Sequence, residues 1–422
     1  MTSEHRPPYS RRPLRLAYLV THPIQYQAPL LRRIAQEPDI DLTVFFGSDF
    51  SVRGYRDEGF GVTFKWDIPL LDGYKHVFLP KLRPDHKDNV TFSSPLNYGI
   101  LSHLRGGGSQ PAFDVLWVHG YAGVNALHGM LAAKALGIPV LLRADMWLSD
   151  RRRSPARLAL KRLFFAGLHC LVDAVLPVGT LNAQYWRHYF GDEIPQFLMP
   201  YAVDNRYFVQ RALEARTTRG ELQTELALDP ARPVILFASK LQERKLCNHL
   251  IEAYARLSPS PGVDPRPYLV IVGDGDQRTA LEQQAAATGL TSIRFCGFRN
   301  QSELPRFFDL ATVFVLPARH EPWGLIVNEV MNAARPSIVS DDVGSAAVLI
   351  SDGLNSEGRS GCVYPVGDIS ALTNALHRVL DSPGVAEAMG QRAFERIQTW
   401  SFEEDIQALR RALARVAPPF TA

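Results

Sequence analysis

Short apolar runs alternate with segments of helical period along almost the whole chain, and they fall into two series. In the first, residues 16–20, 42–46, 115–118, 140–142 and 174–176 read as buried parallel strands, with helices over 27–36 and 124–136 between them. The second comprises 233–237, 268–272, 293–295, 313–316 and 337–339. Near-continuous Val/Ile/Leu runs suit strands covered on both faces, as parallel sheets are. Alternation with helices implies βαβ units and right-handed crossovers. The expected fold class is therefore α/β, with two Rossmann-like doubly wound domains facing a central cleft. A length of 422 residues agrees, because single cores stop growing near ~250–300 residues.

The boundary is placed at 199–204, after which the sequence turns polar and helical over 209–228. The expected organisation is a flexible N-terminal arm (1–13), a first domain (14–204) and a second domain (205–399). A last helix at about 400–422 returns to the first domain. The arm is polar and basic with no apolar stretch, unlike a signal peptide. No apolar run approaches the ~20 residues that span a bilayer. Four cysteines without short spacing suggest neither a zinc site nor a disulfide scaffold, and they suit a reducing compartment, so a cytoplasmic location is expected. A net charge of +3 is too small to argue for a nucleic-acid partner.

Ligands of doubly wound sheets bind beyond the carboxyl ends of the strands. In the second half those ends carry Lys240, Gly273 with Gly275, Phe298 and Glu321; in the first, His22, His119 and Arg143 with Asp145. Glu321 and Glu329 stand with seven residues between them, after a strand and at the start of a helix. A helix start offers free amides to an anion, and flanking carboxylates suit hydroxyl groups. Together they describe a cradle for a nucleotide-diphosphate sugar.

Five segments in order resemble glycosyltransferase family 4, retaining enzymes of GT-B fold. They are the linker 199–204 with Phe208, the loop 238–245, Val272-Gly-Asp-Gly275, the Glu321/Glu329 pair, and Trp400-Ser-Phe-Glu403. The resemblance covers residues 14–415. It departs at Ala238-Ser239 and Leu246-Cys247, where glycine is common, and at the loop 21–27, which lacks the usual glycine-rich turn. The resemblance implies that Lys240 and Lys245 grip the donor diphosphate, with no metal ion and no other cofactor. Glu329 then accepts from the ribose hydroxyls and Glu321 from the sugar, with the amides of Trp323, Gly324 and Leu325 facing sugar and phosphate. Gly273 and Gly275 let the nucleotide approach the backbone, Phe298 lies at the base pocket, and His119 stands beside the sugar. His22, Arg143 and Asp145 are candidates for the acceptor side.

Each residue also has a plainer reading. Lys240 and Lys245 as solvated loop lysines, Glu321 as a helix cap, Glu329 as an exposed helix charge and Gly273/Gly275 as a bare turn all fit. Phe298 suits the core, His119, His22 and Arg143 suit structural hydrogen bonding, and Asp145 suits pairing with a nearby cation. Residues 151–165 carry six basic groups and no acidic one, beside an apolar stripe. They read either as a helix lying on an anionic membrane surface, making the protein peripheral at the inner face, or as a surface helix packed inward.

The expected activity is transfer of a hexose-type sugar to a saccharide or lipid-linked acceptor hydroxyl, in synthesis of bacterial cell-surface polysaccharide or glycolipid. A nucleotide-sugar epimerase of the same fold and a non-catalytic GT-B binding subunit are the alternatives. A Rossmann dehydrogenase is disfavoured, because the loop after 16–20 lacks G-x-G-x-x-G.

Overall fold

The computed structural model describes residues 12–83, 90–108, 111–148, 154–257, 266–350 and 360–417. Most of the expected arm, Arg151–Arg153 of the basic segment and the last five residues lie outside these. The first sheet contains β1 (Leu14–Val20), β2 (Ile40–Phe46), β5 (Lys75–Phe78), β6 (Val115–His119), β7 (Val140–Arg143) and β8 (Ala174–Val175). Between β2 and β5 the chain forms an antiparallel hairpin, β3 (Tyr55–Asp57) with β4 (Val62–Phe64). The second sheet contains β9 (Val234–Ala238), β10 (Tyr268–Val272), β11 (Ile293–Phe295), β12 (Val313–Leu316), β13 (Ser337–Ser340) and β14 (Gly361–Tyr364).

Both sheets are parallel throughout and share one order. The first runs β5-β2-β1-β6-β7-β8 and the second β11-β10-β9-β12-β13-β14. The strand order reverses between β1 and β6, and again between β9 and β12. Each reversal splays two connections apart and leaves a crevice above the sheet. Burial is complete along β9, β10, β12 and β13, which is why the first three carry unbroken apolar runs and β13 an Ile-Val pair between two buried serines. Three elements have no such run and were not expected: β5, an edge strand of exposed residues, the β3–β4 hairpin, and the short β14.

Helices cover both faces of each sheet. Asp204 caps the helix Asn205–Thr217 by accepting the Tyr207 amide at 3.0 Å, which starts the second domain after the linker. The last helix, Phe402–Val416, opens with a capping box of Ser401 and Glu404. It buries Phe402, Ile406, Leu409 and Leu413 against Leu16, Leu42 and Trp117 of the first sheet. The helix Pro155–His169 behaves differently along its length. Phe165 and Leu168 are buried, whereas Leu158, Leu160 and Leu163 are 41%, 68% and 71% exposed. Inward packing therefore holds only its second half. Among the described residues no helix is long and apolar enough to cross a membrane.

Arg143 joins three parts of the molecule. Its Nη2 donates to the carbonyls of Met199 (3.1 Å) and Pro200 (2.7 Å) in the linker and lies 3.5 Å from Asp405 of the last helix. Both side chains are buried. Removing one member of a buried pair leaves the other's polar group stranded, at a cost of roughly 3–5 kcal/mol. Arg143→Met is expected to lower unfolding free energy by that amount in urea titration, against under about 1 kcal/mol for an exposed control such as Arg187→Met.

Candidate active site

The two reversal points face each other across a cavity of about 410 Å³, within the usual size of small-molecule sites. From the first sheet, His22 after β1 lines it; from the second, Lys240 after β9 and Glu321 after β12 do. The hairpin adds Asp57 and Phe60 from the first domain.

The loop after β9 supplies three cations. Lys240 Nζ donates to both carboxylate oxygens of Asp57, at 2.8 and 2.9 Å, so it is neither solvated nor free. The loop continues as a 3₁₀ turn, Glu243–Lys245, and Leu246 then adopts φ +50°. That left-handed conformation is the one glycine takes without strain, so the backbone keeps its course despite the departure at this position. Lys245 Nζ donates to Glu321 Oε2, which also accepts from Arg244 Nη1 at 2.9 Å. Burial pulls the Lys245 ammonium below its usual range, and Glu321 opposes this. Burial would raise the Glu321 carboxyl, yet Lys245 and Arg244 hold it below the ordinary value. Glu321 is thus an ionised carboxylate in a cationic corner. Arg244 was not expected there, although it sits beside Lys245 in the same motif.

After β12 the chain pairs back across the sheet end, Glu321 N–H donating to Asp342 O (3.1 Å) and Gly344 N–H to Glu321 O (2.9 Å). The helix Leu325–Met331 begins only after Gly324, at φ +84°, and has no side-chain cap. A Cβ on Gly324 would stand 3.0 Å from Leu316 and 3.1 Å from Val343. Glu321 is therefore not a helix cap. Gly324, Leu325 and Glu329 all line the cavity. Glu329 is half-buried at the cavity wall and not an exposed helix charge; desolvation there pushes its carboxyl up to about 8. The side chain of Trp323 does not line the cavity. Its indole is 3% exposed, stacks on Trp400 at 5.7 Å and donates from Nε1 to Asn328 at 3.0 Å. A Cβ on Gly179 of the first domain would fall 2.4 Å from it. Trp323 is an interdomain packing residue.

On the first-domain rim, Tyr18 OH donates to Gln27 Oε1 (2.7 Å), so the Gln27 amide nitrogen must donate to His119 Nε2 (2.9 Å). His119 therefore carries its proton on Nδ1, an atom that is buried and without a partner. Burial, helped by the charges of Arg143 and His22, holds its pKa down at about 3, so it stays neutral, accepting one hydrogen bond at Nε2 and keeping an unpartnered Nδ1–H. It does not itself line the cavity, whereas His22, whose pKa burial lowers to about 4, does. Arg143 is 2% exposed among linker carbonyls, which removes it from the acceptor side. Asp145 makes no ion pair among the described residues. Burial raises its carboxyl and the charge of Glu321 adds to this, while Arg143 opposes both.

Phe298 lines the cavity and carries the hairpin on its ring, with Phe60 at 4.8 Å and Phe64 at 4.4 Å between centroids. Gly273 and Gly275 have a reason beyond a bare turn. At φ +136° and +156°, an added Cβ would lie 1.9 Å from Ser239 O and 2.5 Å from Leu241 O respectively. The close approach they permit is to the cation loop, not to a ligand, although Gly273 also lines the cavity. The hairpin residues and Gln27 were missed. Asp57 and Gln27 carry no motif, while Val62-Thr-Phe-Lys-Trp66 after two glycines shows the alternation of a hairpin strand. Among the described residues no group of three or more His, Cys, Asp or Glu is placed to hold a metal ion.

Comparison with known structures follows this geometry. Sucrose-phosphate synthase from Thermosynechococcus elongatus superposes with a TM-score of 0.65 at 19% identity, over 95% of this chain and 99% of that one. Anabaena HepE, solved in complex with UDP and glucose, gives 0.67 at 16% identity over the same shares. The fold is GT-B. Residues 218–396 match the family model described as Glycosyl transferases group 1. Alpha-D-kanosaminyltransferase of Streptomyces kanamyceticus is 34% identical over 181 residues, 43% of this chain and 44% of that protein. Glycogen synthase of Mycobacterium tuberculosis is 29% identical over 183 residues, 43% of this chain and 41% of that protein. The chain thus spans less than half the length of these curated relatives.

The half-buried Glu329 gives the site a signature in stability. Its folded pKa of about 8 exceeds the ordinary 4.5, so the folded state binds the proton more tightly than the unfolded state. Stability is then lost as pH rises from about 4.5 to about 8. Glu329→Gln is expected to raise the Tm by a few degrees near pH 8.5 and hardly at all near pH 5, by scanning calorimetry.

Proposed function

We propose that this chain is a retaining glycosyltransferase of the family 4 type, moving a hexose-type sugar from a nucleotide diphosphate to an acceptor hydroxyl. One observation carries the reading: Lys240, Arg244 and Lys245 converge from one loop on a cavity that Glu321, bonded to Arg244 and Lys245, and Glu329 also line. Three cations suit a diphosphate, and two carboxylates suit the hydroxyls on either side of it. The match of residues 218–396 to glycosyl transferases group 1 supports the same reading. The UDP and glucose held by the HepE structure favour a uridine nucleotide as the first donor to try.

In this reading the bond from the anomeric carbon to the diphosphate breaks, and the acceptor oxygen bonds to that carbon from the same face. The acceptor proton passes to the departing diphosphate oxygen. Lys240 and Lys245 offset the charge that grows on the leaving group, so the chemistry rests on positioning and charge stabilisation without a bound metal. Glu321 accepts from sugar hydroxyls and Glu329 from the ribose. His22 bounds the acceptor side, and His119, held by Gln27 behind the cavity wall, is at most a positioning residue for it. The acceptor is a saccharide or a lipid-linked saccharide of the bacterial cell surface, handled on the cytoplasmic side.

The helix Pro155–His169 supports a peripheral contact with an anionic membrane. Leu160 and Leu163 lie ~60° apart on one exposed face, with Arg157, Lys161 and Arg162 flanking them.

Lys245→Ala and Glu321→Ala should each lower sugar transfer from UDP-sugars at least about a hundredfold, with circular dichroism unchanged. Turnover like that of the wild type in either variant overturns the reading, as does conversion of the nucleotide sugar without an acceptor. Leu160→Ser with Leu163→Ser should reduce co-sedimentation with phosphatidylglycerol vesicles several-fold and leave phosphatidylcholine vesicles equally unbound.

A further inference from the structure

The hairpin Tyr55–Phe64 belongs to the first domain, yet its tip is seated on the cation loop of the second. Gly59 lies so close to Lys240 that a Cβ there would stand 2.7 Å from Lys240 Cδ and 2.9 Å from Nζ. Gly275 faces the same tip, its added Cβ falling 3.0 Å from Gly59 O. The Phe60 ring lies 4.7 Å from Lys240 Nζ. Asp57 organises this tip, because its Oδ1 accepts the amides of Gly59 (2.8 Å) and Phe60 (2.9 Å). The same carboxylate, 15% exposed, takes Lys240 with both oxygens.

The cation assigned to the donor diphosphate is therefore already occupied by an anion of the chain itself. Lys245 and Arg244 are paired too, but with Glu321, a neighbour in the same domain. The Lys240 pair alone of these crosses the cleft. A carboxylate and a phosphate present the same chemistry to an ammonium group, so both cannot hold Lys240 at full strength.

We propose that Asp57 sets the affinity of the donor site, as an internal competitor that every diphosphate must displace from Lys240. This rests on the donor reading above. The hairpin does not need to leave when Asp57 lets go. It stays anchored through Phe60 and Phe64 on Phe298, through Asn300 Nδ2 donating to Lys65 O (2.7 Å), and through the Ser302 amide on Asp67 (3.3 Å). The competition therefore weakens diphosphates in general and leaves the cleft closed around those that succeed.

The sign of the effect separates this role from a structural one. Asp57→Asn keeps an Oδ1 for the two amides of the turn and removes the charge facing Lys240. It is expected to tighten UDP binding about fivefold in calorimetry, the scale of one partly exposed ion pair. Asp67→Asn, which loosens the other end of the same hairpin, is expected to stay within about twofold of the wild type. In a Lys240→Met background, Asp57→Asn should have no effect, because the partner it competes for is gone. Equal or weaker UDP binding by Asp57→Asn overturns the proposal. Tightening that survives Lys240→Met, or that Asp67→Asn reproduces, also overturns it and assigns the hairpin a hinge role. If folded wild type and Asp57→Asn bind none of UDP, GDP and ADP, the donor reading falls and this inference falls with it.

Discussion

The carbonyl oxygen of Tyr201 accepts two hydrogen bonds, from the Trp400 indole at 3.0 Å and from the Asn328 amide at 2.9 Å. Tyr201 belongs to the linker, Trp400 to the approach of the last helix, and Asn328 to the helix carrying Glu329. One buried acceptor thus fixes the positions of three segments that are distant in sequence. A buried carbonyl left without these donors would lose the compensation for its desolvation, so the arrangement is held by necessity as well as by attraction. Trp323 stacked on Trp400 fills the space around it, and Gly179 gives the stack room. The distance across the cleft, and with it every contact between the hairpin and the cation loop, depends on this joint.

The joint explains which parts of the molecule were legible in the sequence. Buried strands announce themselves, because helices on both faces force unbroken apolar runs such as Val234–Ala238 and Tyr268–Val272. Position beyond a strand end then placed Lys240 and Glu321 at one rim with no knowledge of packing, while Glu329 came from its spacing and Lys245 from the family resemblance. Edge strands have no such mark; Lys75–Phe78 lies exposed and its sequence reads as a loop. The direction of the Trp323 side chain was hidden for a related reason. A motif shows that a residue belongs to the site's loop, but not which way its side chain points, and here it points into the interdomain core. Arg143 stands at a strand end like the others, yet its guanidinium turns back to the linker carbonyls.

The site's charge balance was hidden more deeply. Lys240 and Asp57 are 183 residues apart in the chain, and each is an ordinary charged residue in its own surroundings. Gln27 is similar. It becomes informative only because Tyr18 on one side and His119 on the other dictate the direction of its amide. The charged groups of the second domain sit in contiguous segments and are readable as spacing. Contacts between domains are set by the relative placement of two sheets, which no local pattern encodes.

The return of the helix Phe402–Val416 to the first sheet bears on how the protein is made. The first domain is translated before the second, and the segment that covers it comes after both. Until that helix emerges, Leu16, Leu42 and Trp117 present an uncovered apolar face. The second sheet, whose strands and covering helices are contiguous in sequence, has all its parts in hand earlier. Order of synthesis and order of completion are therefore opposed, and the domain translated first is the one finished last.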